Sequence, residues 1–282
     1  MTSSGLCAGR VVLITGAGRG IGLAITRHMS ARGWDVYAGV RSDSAARELE
    51  GLPRVHPVKV DITDRDSVNA LPDQLPAQLD GVVNNAGIVV NGPVEGLTLE
   101  DLSRQFDVNV VAQIAVTQAV LPKIRAAKGR IVFISSVSGL ITTPGTGAYC
   151  ASKYALESLA DALRMELRPW GIRVSLVEPG PIRTDIWGEI LVEHDRMVDQ
   201  LAPEHRALYA PHLDGTRKLL SRMQKMAADP EKVVKAVDHA LTARRPKSRY
   251  LLDAASRIQK VVLGLTPTAV NDSVFAAMTT AK

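Results

Sequence analysis

Seven short runs of β-branched and aliphatic residues recur along the chain, at 10–15 (RVVLIT), 35–41 (DVYAGVR), 55–60, 81–84, 129–135 (GRIVFIS), 172–177 (IRVSLV) and 248–252. They are nearly continuous in apolar character rather than alternating, which marks strands covered on both faces. Stretches of helical periodicity separate most of them, at 21–32, 42–50, 64–78, 98–127, 148–169 and 230–243. Strand and helix in such alternation predict one doubly wound α/β domain, a parallel sheet of about seven strands with helices on both faces. Ligands of these sheets bind beyond the carboxyl ends of the strands, where the strand order reverses. Every motif described below falls at such an end or at the start of the following helix.

The rhythm breaks at 183–228, a charged, Pro-dotted stretch of weak periodicity. An insertion of this length in a compact domain is expected to be a lid or binding loop. Met197, Leu201, Leu219, Leu220, Met223 and Met226 suggest two amphipathic helices within it. The catalytic domain is expected to span 1–255, followed by a tail at 256–282 with one amphipathic piece (Ile258, Val261, Val262, Leu265) that fades into small polar residues.

Composition removes several other classes. An apolar share of 46% with 22% charged residues is that of a soluble globular protein. No apolar run reaches the ~18 residues of a membrane span, and the first ten residues lack a secretory signal pattern. A net charge of +5 is spread along the chain, which suits an anionic small molecule and gives no nucleic-acid footprint. Two cysteines, Cys7 and Cys150, and six scattered histidines form no metal-ligand cluster, so no metal is expected and a cytoplasmic setting is. Cys150 reads as a small buried thiol.

The first strand runs into Thr15, Gly16, Ala17, Gly18, Arg19, Gly20, Ile21 and Gly22, which open directly into an apolar helix. Glycines there let backbone approach a pyrophosphate resting on the helix N-terminus. The second strand ends where the adenosine ribose should lie. An Asp or Glu at that end would hold the ribose 2′-hydroxyl of NAD. Here Val40 is followed by Arg41 and Ser42, with no acid before Asp43. Arg41 and Arg19 are placed to bracket a 2′-phosphate, so NADP(H) is expected in preference to NAD(H).

Tyr149 and Lys153 open a long helix at a spacing of four, which puts them on one face, a turn apart. A phenol near pKa 10 is a poor proton donor and acceptor at neutral pH, and a neighbouring ammonium is expected to lower that value. Ser136, at the carboxyl end of the fifth strand, can hydrogen-bond the same substrate oxygen. No Gly-x-Ser-x-Gly elbow accompanies it, which argues against a nucleophilic serine.

Taken together, TGAGRGIG at 15–22, NNAG at 84–87, Asn109, Ser136, YCASK at 149–153 and Pro179-Gly180 resemble the short-chain dehydrogenase/reductase family over roughly 10–252. The resemblance implies a Rossmann-like fold and a catalytic tetrad of Asn109, Ser136, Tyr149 and Lys153. Asn109 would distort its helix and hold a water in a proton relay, and Lys153 would also bind the nicotinamide ribose. Asp61, with Ile62 beside it, would contact the adenine. Asn85, Ala86 and Gly87 would line the cofactor cleft, and Pro179, Gly180, Ile182 and Thr184 would hold the nicotinamide. The segment 142–178 and the RPKSRY before the last strand are similar to the retinol, hydroxysteroid and 3-hydroxybutyrate dehydrogenase branch. That branch often carries a membrane anchor, a pattern from which this chain departs.

The expected activity is hydride transfer between a nicotinamide cofactor and a secondary alcohol or carbonyl, with Tyr149 as acid and base. Ser136, Leu140, Tyr149, Ile186 and Trp187 are the expected substrate contacts, for a lipophilic substrate such as a steroid, a retinoid or a long-chain alcohol. A non-catalytic NADP-binding sensor is the alternative that the filled tetrad argues against. Apolar breadth on the helices at 98–127 and 148–169 predicts a homodimer or homotetramer.

Overall fold

The computed structural model describes residues 9–184, 186–252 and 266–279. Strand β1 (Val11–Thr15) is apolar at its first four positions and lies inside the sheet. It is flanked by β2 (Asp35–Val40) on one side and β4 (Gly81–Asn84) on the other. With β3 (Val55–Lys59), β5 (Arg130–Ile134), β6 (Arg173–Glu178) and β7 (Arg249–Leu251), the seven strands run parallel in the order β3-β2-β1-β4-β5-β6-β7. The order turns back between β3 and β4, so the switch point falls between β1 and β4.

Because no strand of this sheet is open to water on a whole face, two separate apolar layers form. On one face Ile25 and Met29 of α1 (Gly20–Ala31) and Val233 and Val237 of α9 (Glu231–Thr242) pack with Trp34 over Val12, Ile14 and Val132. On the other, Val116, Val120 and Ile124 of α5 (Ala112–Ala127) and Leu156 and Ala160 of α6 (Gly147–Glu166) cover Leu13, Val82, Ile131 and Phe133.

Local chemistry places the helix ends. Ser42 caps α2 (Asp43–Leu49) by accepting from the Ala45 N–H, and Asp64 caps α3 (Arg65–Ala70) by accepting from Asp66. The expected cap at Thr98 is present on α4 (Leu99–Phe106), where its hydroxyl accepts from the Asp101 N–H at 3.0 Å. Two sequence expectations need correction. The helix expected over 64–78 stops at Ala70, and a 3-10 turn with Pro72 at its start follows, since Pro removes a helical donor. The single helix expected over 98–127 is two, α4 and α5, joined by a π-helical turn over Asp107–Val111.

The insertion is helical throughout most of its length. Helices α7 (Ile186–Gln200) and α8 (Pro203–Lys225) form it, and an isolated β-bridge between Ile182 and Ala228 joins its two ends. Leu201, Leu213 and Leu220 are buried while Met226 is exposed. In the tail, α10 (Thr268–Thr279) packs against α8, so this part holds a helix where the sequence suggested only small polar residues. The amphipathic piece at Ile258, Val261, Val262 and Leu265 lies outside the described residues, as does Cys7. Cys150 is a buried free thiol.

Phe133, fully buried in the middle of β5, is the natural probe of this packing. Replacing it with alanine is expected to cost about 3–5 kcal/mol, read as a lowered urea midpoint with an unchanged denaturant slope.

Candidate active site

The carboxyl ends of β1 and β4 are stitched together by side chains. Thr15 Oγ1 accepts from the backbone N–H groups of Asn85 and Ala86 at 3.0 and 3.2 Å. The Asn85 amide donates back to the carbonyls of Thr15 and Gly16 at 3.0 and 3.2 Å. Two further amides hold the β4 side from beneath: Gln113 donates to the Ala86 carbonyl at 2.8 Å, and Asn84 to the Thr117 hydroxyl at 2.9 Å. The NNAG segment is therefore rigid, and its backbone forms one wall of the cleft at the switch point.

The glycine turn forms the other wall. Gly16 has φ +64°, a left-handed conformation that side chains disfavour, and a Cβ there would lie 3.0 Å from Ala86 Cα. A Cβ on Gly22 would collide with the Gly16 carbonyl and lie 2.6 Å from Asn85 Nδ2. The turn thus closes against the NNAG wall only because both positions lack side chains. Arg19 is the N-cap of α1 without a side-chain cap, and the first turn of α1 carries no acidic residue. Helix amides without a cap and a positive helix end are what an anionic diphosphate requires. The turn fits a dinucleotide. Gly18 and Gly20 complete it, while Ile21 packs down on the core.

The remaining residues expected at the cofactor arrive from neighbouring strands. Arg41 follows β2 on the exposed rim. Asp61 and Ile62 follow β3; the Asp61 carboxylate accepts from the Thr63 N–H and hydroxyl at 2.9 and 2.7 Å. Those bonds, with Arg41 nearby, hold its carboxyl below the usual range. Pro179 and Gly180 follow β6, and Thr184 comes back to the glycine turn, where its side chain would touch a Cβ on Gly20 at 3.4 Å. Arg19 itself is ion-paired to Glu189 of α7, on the lid side of the cleft.

Asn109 sits at the centre of the π-helical turn and is completely buried. Its side chain pairs with the backbone of Ile88 in both directions, accepting from the N–H and donating to the carbonyl at 2.9 Å each. It also donates to Ser152 Oγ at 3.3 Å. The helix distortion expected at Asn109 is therefore present. Gln105, one turn earlier, does the same work: it accepts from the Val90 N–H at 2.6 Å and donates to the Ile88 carbonyl at 3.2 Å. Neither Gln105 nor Gln113 was singled out from sequence. Gln113 sits on an otherwise apolar helix face, which is the signal that a buried amide leaves; Gln105 is the one buried residue of a polar helix and leaves none.

Tyr149, Ser136 and Lys153 converge at the end of β5. The Ser136 hydroxyl accepts from the Ser138 N–H at 3.1 Å and donates to the Pro179 carbonyl at 3.5 Å, on the side of the cleft that Tyr149 faces. Lys153 is buried, donates to the Ile134 carbonyl at 2.9 Å, and places Nζ 5.8 Å from the centre of the Tyr149 ring. The expectation of a phenol acidified by its neighbour is corrected here. Burial pushes Tyr149 up to about 12, with Ser136 pulling the other way. Burial likewise pushes Lys153 down to about 8, while Glu157 draws it back up. The ammonium lies over the ring face, and loss of water outweighs it.

Trp187 packs in the apolar interior of the lid with Ile190 and Leu220, beside Val89 of the loop that follows NNAG. Its indole N–H donates to the Ile182 carbonyl at 2.7 Å. Leu140 is half-buried just beyond the 3-10 turn that carries Ser138. The Ile186 side chain is outside the described part of the structure. The lid is tied down around the cleft by Arg104–Glu193 at 2.8 Å and by the Tyr209 hydroxyl donating to Glu95 at 2.7 Å.

This arrangement has relatives among known proteins. A family model described as short chain dehydrogenase matches residues 10–194. The chain is 35% identical to retinol dehydrogenase 5 of Mus musculus, over 94% of this chain and 87% of that one. It is 33% identical to the NADPH-dependent 3-dehydrocapnine reductase of Ornithobacterium rhinotracheale, over 94% and 96%. A short chain dehydrogenase from Burkholderia cenocepacia J2315, solved in complex with NADP, superposes with a TM-score of 0.73 at 25% identity, covering 97% of this chain and 99% of that one. Sequence, fold and site agree: the chain is an enzyme of the short-chain dehydrogenase/reductase family, whose members bind nicotinamide cofactors.

Proposed function

We propose that the protein reduces a lipophilic ketone or aldehyde, or oxidises the matching alcohol, with NADP(H) as the preferred cofactor. The observation that carries this reading is the convergence of Tyr149, Ser136 and a buried Lys153, its Nζ 5.8 Å from the centre of the Tyr149 ring, beside the glycine turn. A nicotinamide dinucleotide, when bound, supplies or accepts the hydride. The protein manages the proton and the geometry.

At neutral pH a phenol held near 12 is fully protonated, so Tyr149 is ready to donate to a carbonyl oxygen as charge develops there. Ser136 donates a hydrogen bond to that same oxygen, and the two hydroxyls fix its position. The Lys153 ammonium, one turn below, favours the phenolate that proton donation leaves behind. Reduction therefore needs both Tyr149 and Lys153 protonated. Asn109 keeps the loop at Ile88 and the Ser152 hydroxyl in place, and its π-helical turn frees backbone for the expected water relay.

Preference for NADP is supported by Arg41 on the rim of β2 with no acid before Asp43, by Arg19 at the head of α1, and by the reductase and NADP-complex relatives. A lipophilic substrate is supported by the apolar lid around Trp187 and by the likeness to a retinol dehydrogenase. Among the described residues no helix is long and apolar enough to cross a membrane. We infer a cytoplasmic homodimer or homotetramer; Val111, Tyr154, Leu159 and Met165 are large apolar side chains left exposed on and beside α5 and α6, where a second subunit would cover them.

Tyr149→Phe is expected to reduce turnover of any ketone substrate to below a few per cent while NADPH affinity, measured by calorimetry, changes little. Arg41→Asp should shift the ratio of Michaelis constants toward NAD(H), and unchanged constants for both cofactors would count against the phosphate role. With Lys153 near 8, ketone reduction should hold at neutral pH and fall as pH rises through about 8, because the ammonium is then lost. A pH–rate profile at saturating cofactor reads this directly.

A further inference from the structure

Arg249 lies on the last strand, β7, far along the chain from the catalytic helix, and it gathers three buried or half-buried acids. Its guanidinium meets Glu157 at 3.0 Å, Asp161 at 2.7 Å and Glu178 at 3.2 Å. Glu157 and Glu178 are buried, at 6% and 1% exposure, so these are not solvated surface pairs. Glu157 and Asp161 lie on α6, one and two turns beyond Lys153. Glu178 ends β6, immediately before Pro179-Gly180. One cation from β7 therefore grips the catalytic helix and the strand that delivers the nicotinamide side of the cleft.

The same place supports Ser136. A Cβ on Gly139, in the turn after Ser136, would lie 3.0 Å from Glu157 Cγ, 3.2 Å from Ser135 Oγ and 3.3 Å from the Lys153 carbonyl. The Ser136 loop thus rests directly on Glu157. Only one Glu157 oxygen, Oε2, is engaged by Arg249; Oε1 is buried without a hydrogen-bond partner among the described residues.

We propose that Arg249 is a positioning residue of the active site that acts through Glu157, fixing that carboxylate one turn beyond Lys153 so that the lysine is held as an ammonium under Tyr149. The inference rests on the reading of Tyr149 and Lys153 as the proton-handling pair. Around Lys153, the titratable groups are Tyr149 and Glu157 on α6 itself, with Asp161 further along it; Glu178 comes from β6 and Arg249 from β7. The groups from α4 and the π-helical turn, Gln105 and Asn109, are neutral. Of the charged groups, Glu157 is the one whose field reaches Lys153 and favours its protonated form. A purely structural clamp would steady α6 and leave the proton affinity of Lys153 alone.

The test follows Lys153 itself. In the full-length protein with 13Cε-labelled lysine, its resonance is identified by its loss in Lys153→Arg and titrated against pH by NMR. Glu157→Gln is expected to lower the midpoint, and Arg249→Gln to lower it by less as the carboxylate turns aside; a raised midpoint in Arg249→Gln, the sign that loss of a cation alone would give, overturns the positioning role. The alkaline limb of ketone reduction, followed with saturating NADPH, should move to lower pH in step. An unmoved Lys153 midpoint in whichever variant folds, with turnover lowered equally at every pH, overturns the role given to Arg249 and Glu157. Full activity in Tyr149→Phe would instead overturn the reading of the site, so the two failures are distinguishable.

Discussion

The cleft exists because two adjacent parallel strands are tied to each other at their carboxyl ends. The side chains of Thr15 and Asn85 take part in four hydrogen bonds across the β1–β4 boundary, to each other's backbone and to Gly16 and Ala86, and these bonds satisfy backbone groups that strand pairing leaves open where the chains diverge. Without them the glycine turn and the NNAG segment would be two loose loops. With them, the approach of Gly16 and Gly22 to Asn85 is close enough that a methyl group at either position has nowhere to go. The walls of the site are thus set by backbone geometry.

Burial governs the proton chemistry in the same way. A tyrosine and a lysine one turn apart invite the idea that the amine acidifies the phenol. In the structure burial moves their proton affinities toward the uncharged forms, the phenol up and the amine down. Lys153 is the group of the pair drawn nearest to neutral, down to about 8.

Much of this was legible in the sequence where the signal was local. Continuous apolar runs marked the seven strands, and the glycines at 16, 18, 20 and 22 marked the dinucleotide turn, because each follows from what a few neighbouring residues can do. Thr98 was readable as a helix cap for the same reason. Pro72 was a breaker in plain view, yet the periodicity around it suggested one helix. The π-helical turn at Asn109 was suggested only by family resemblance, since it is stabilised by Ile88 and Ser152 and not by anything within its own turn. The Arg249 cluster joins residues up to 92 positions apart and leaves no pattern along the chain. The reversed proton affinity of Tyr149 was hidden for the same reason, because burial is a property of the fold.

The lid leaves and rejoins the sheet at a single place, where Ile182 and Ala228 pair as strands and Arg183 donates to the Ala228 carbonyl at 2.8 Å. Its two ends are thus neighbours in space regardless of what lies between them, and the entropy of closing a loop grows only slowly with its length. Helices above that hinge are free to lengthen, shorten or change their apolar lining with little consequence for the sheet. Such a seam lets evolution trade one guest molecule for another while the electron-transfer engine beneath is inherited intact.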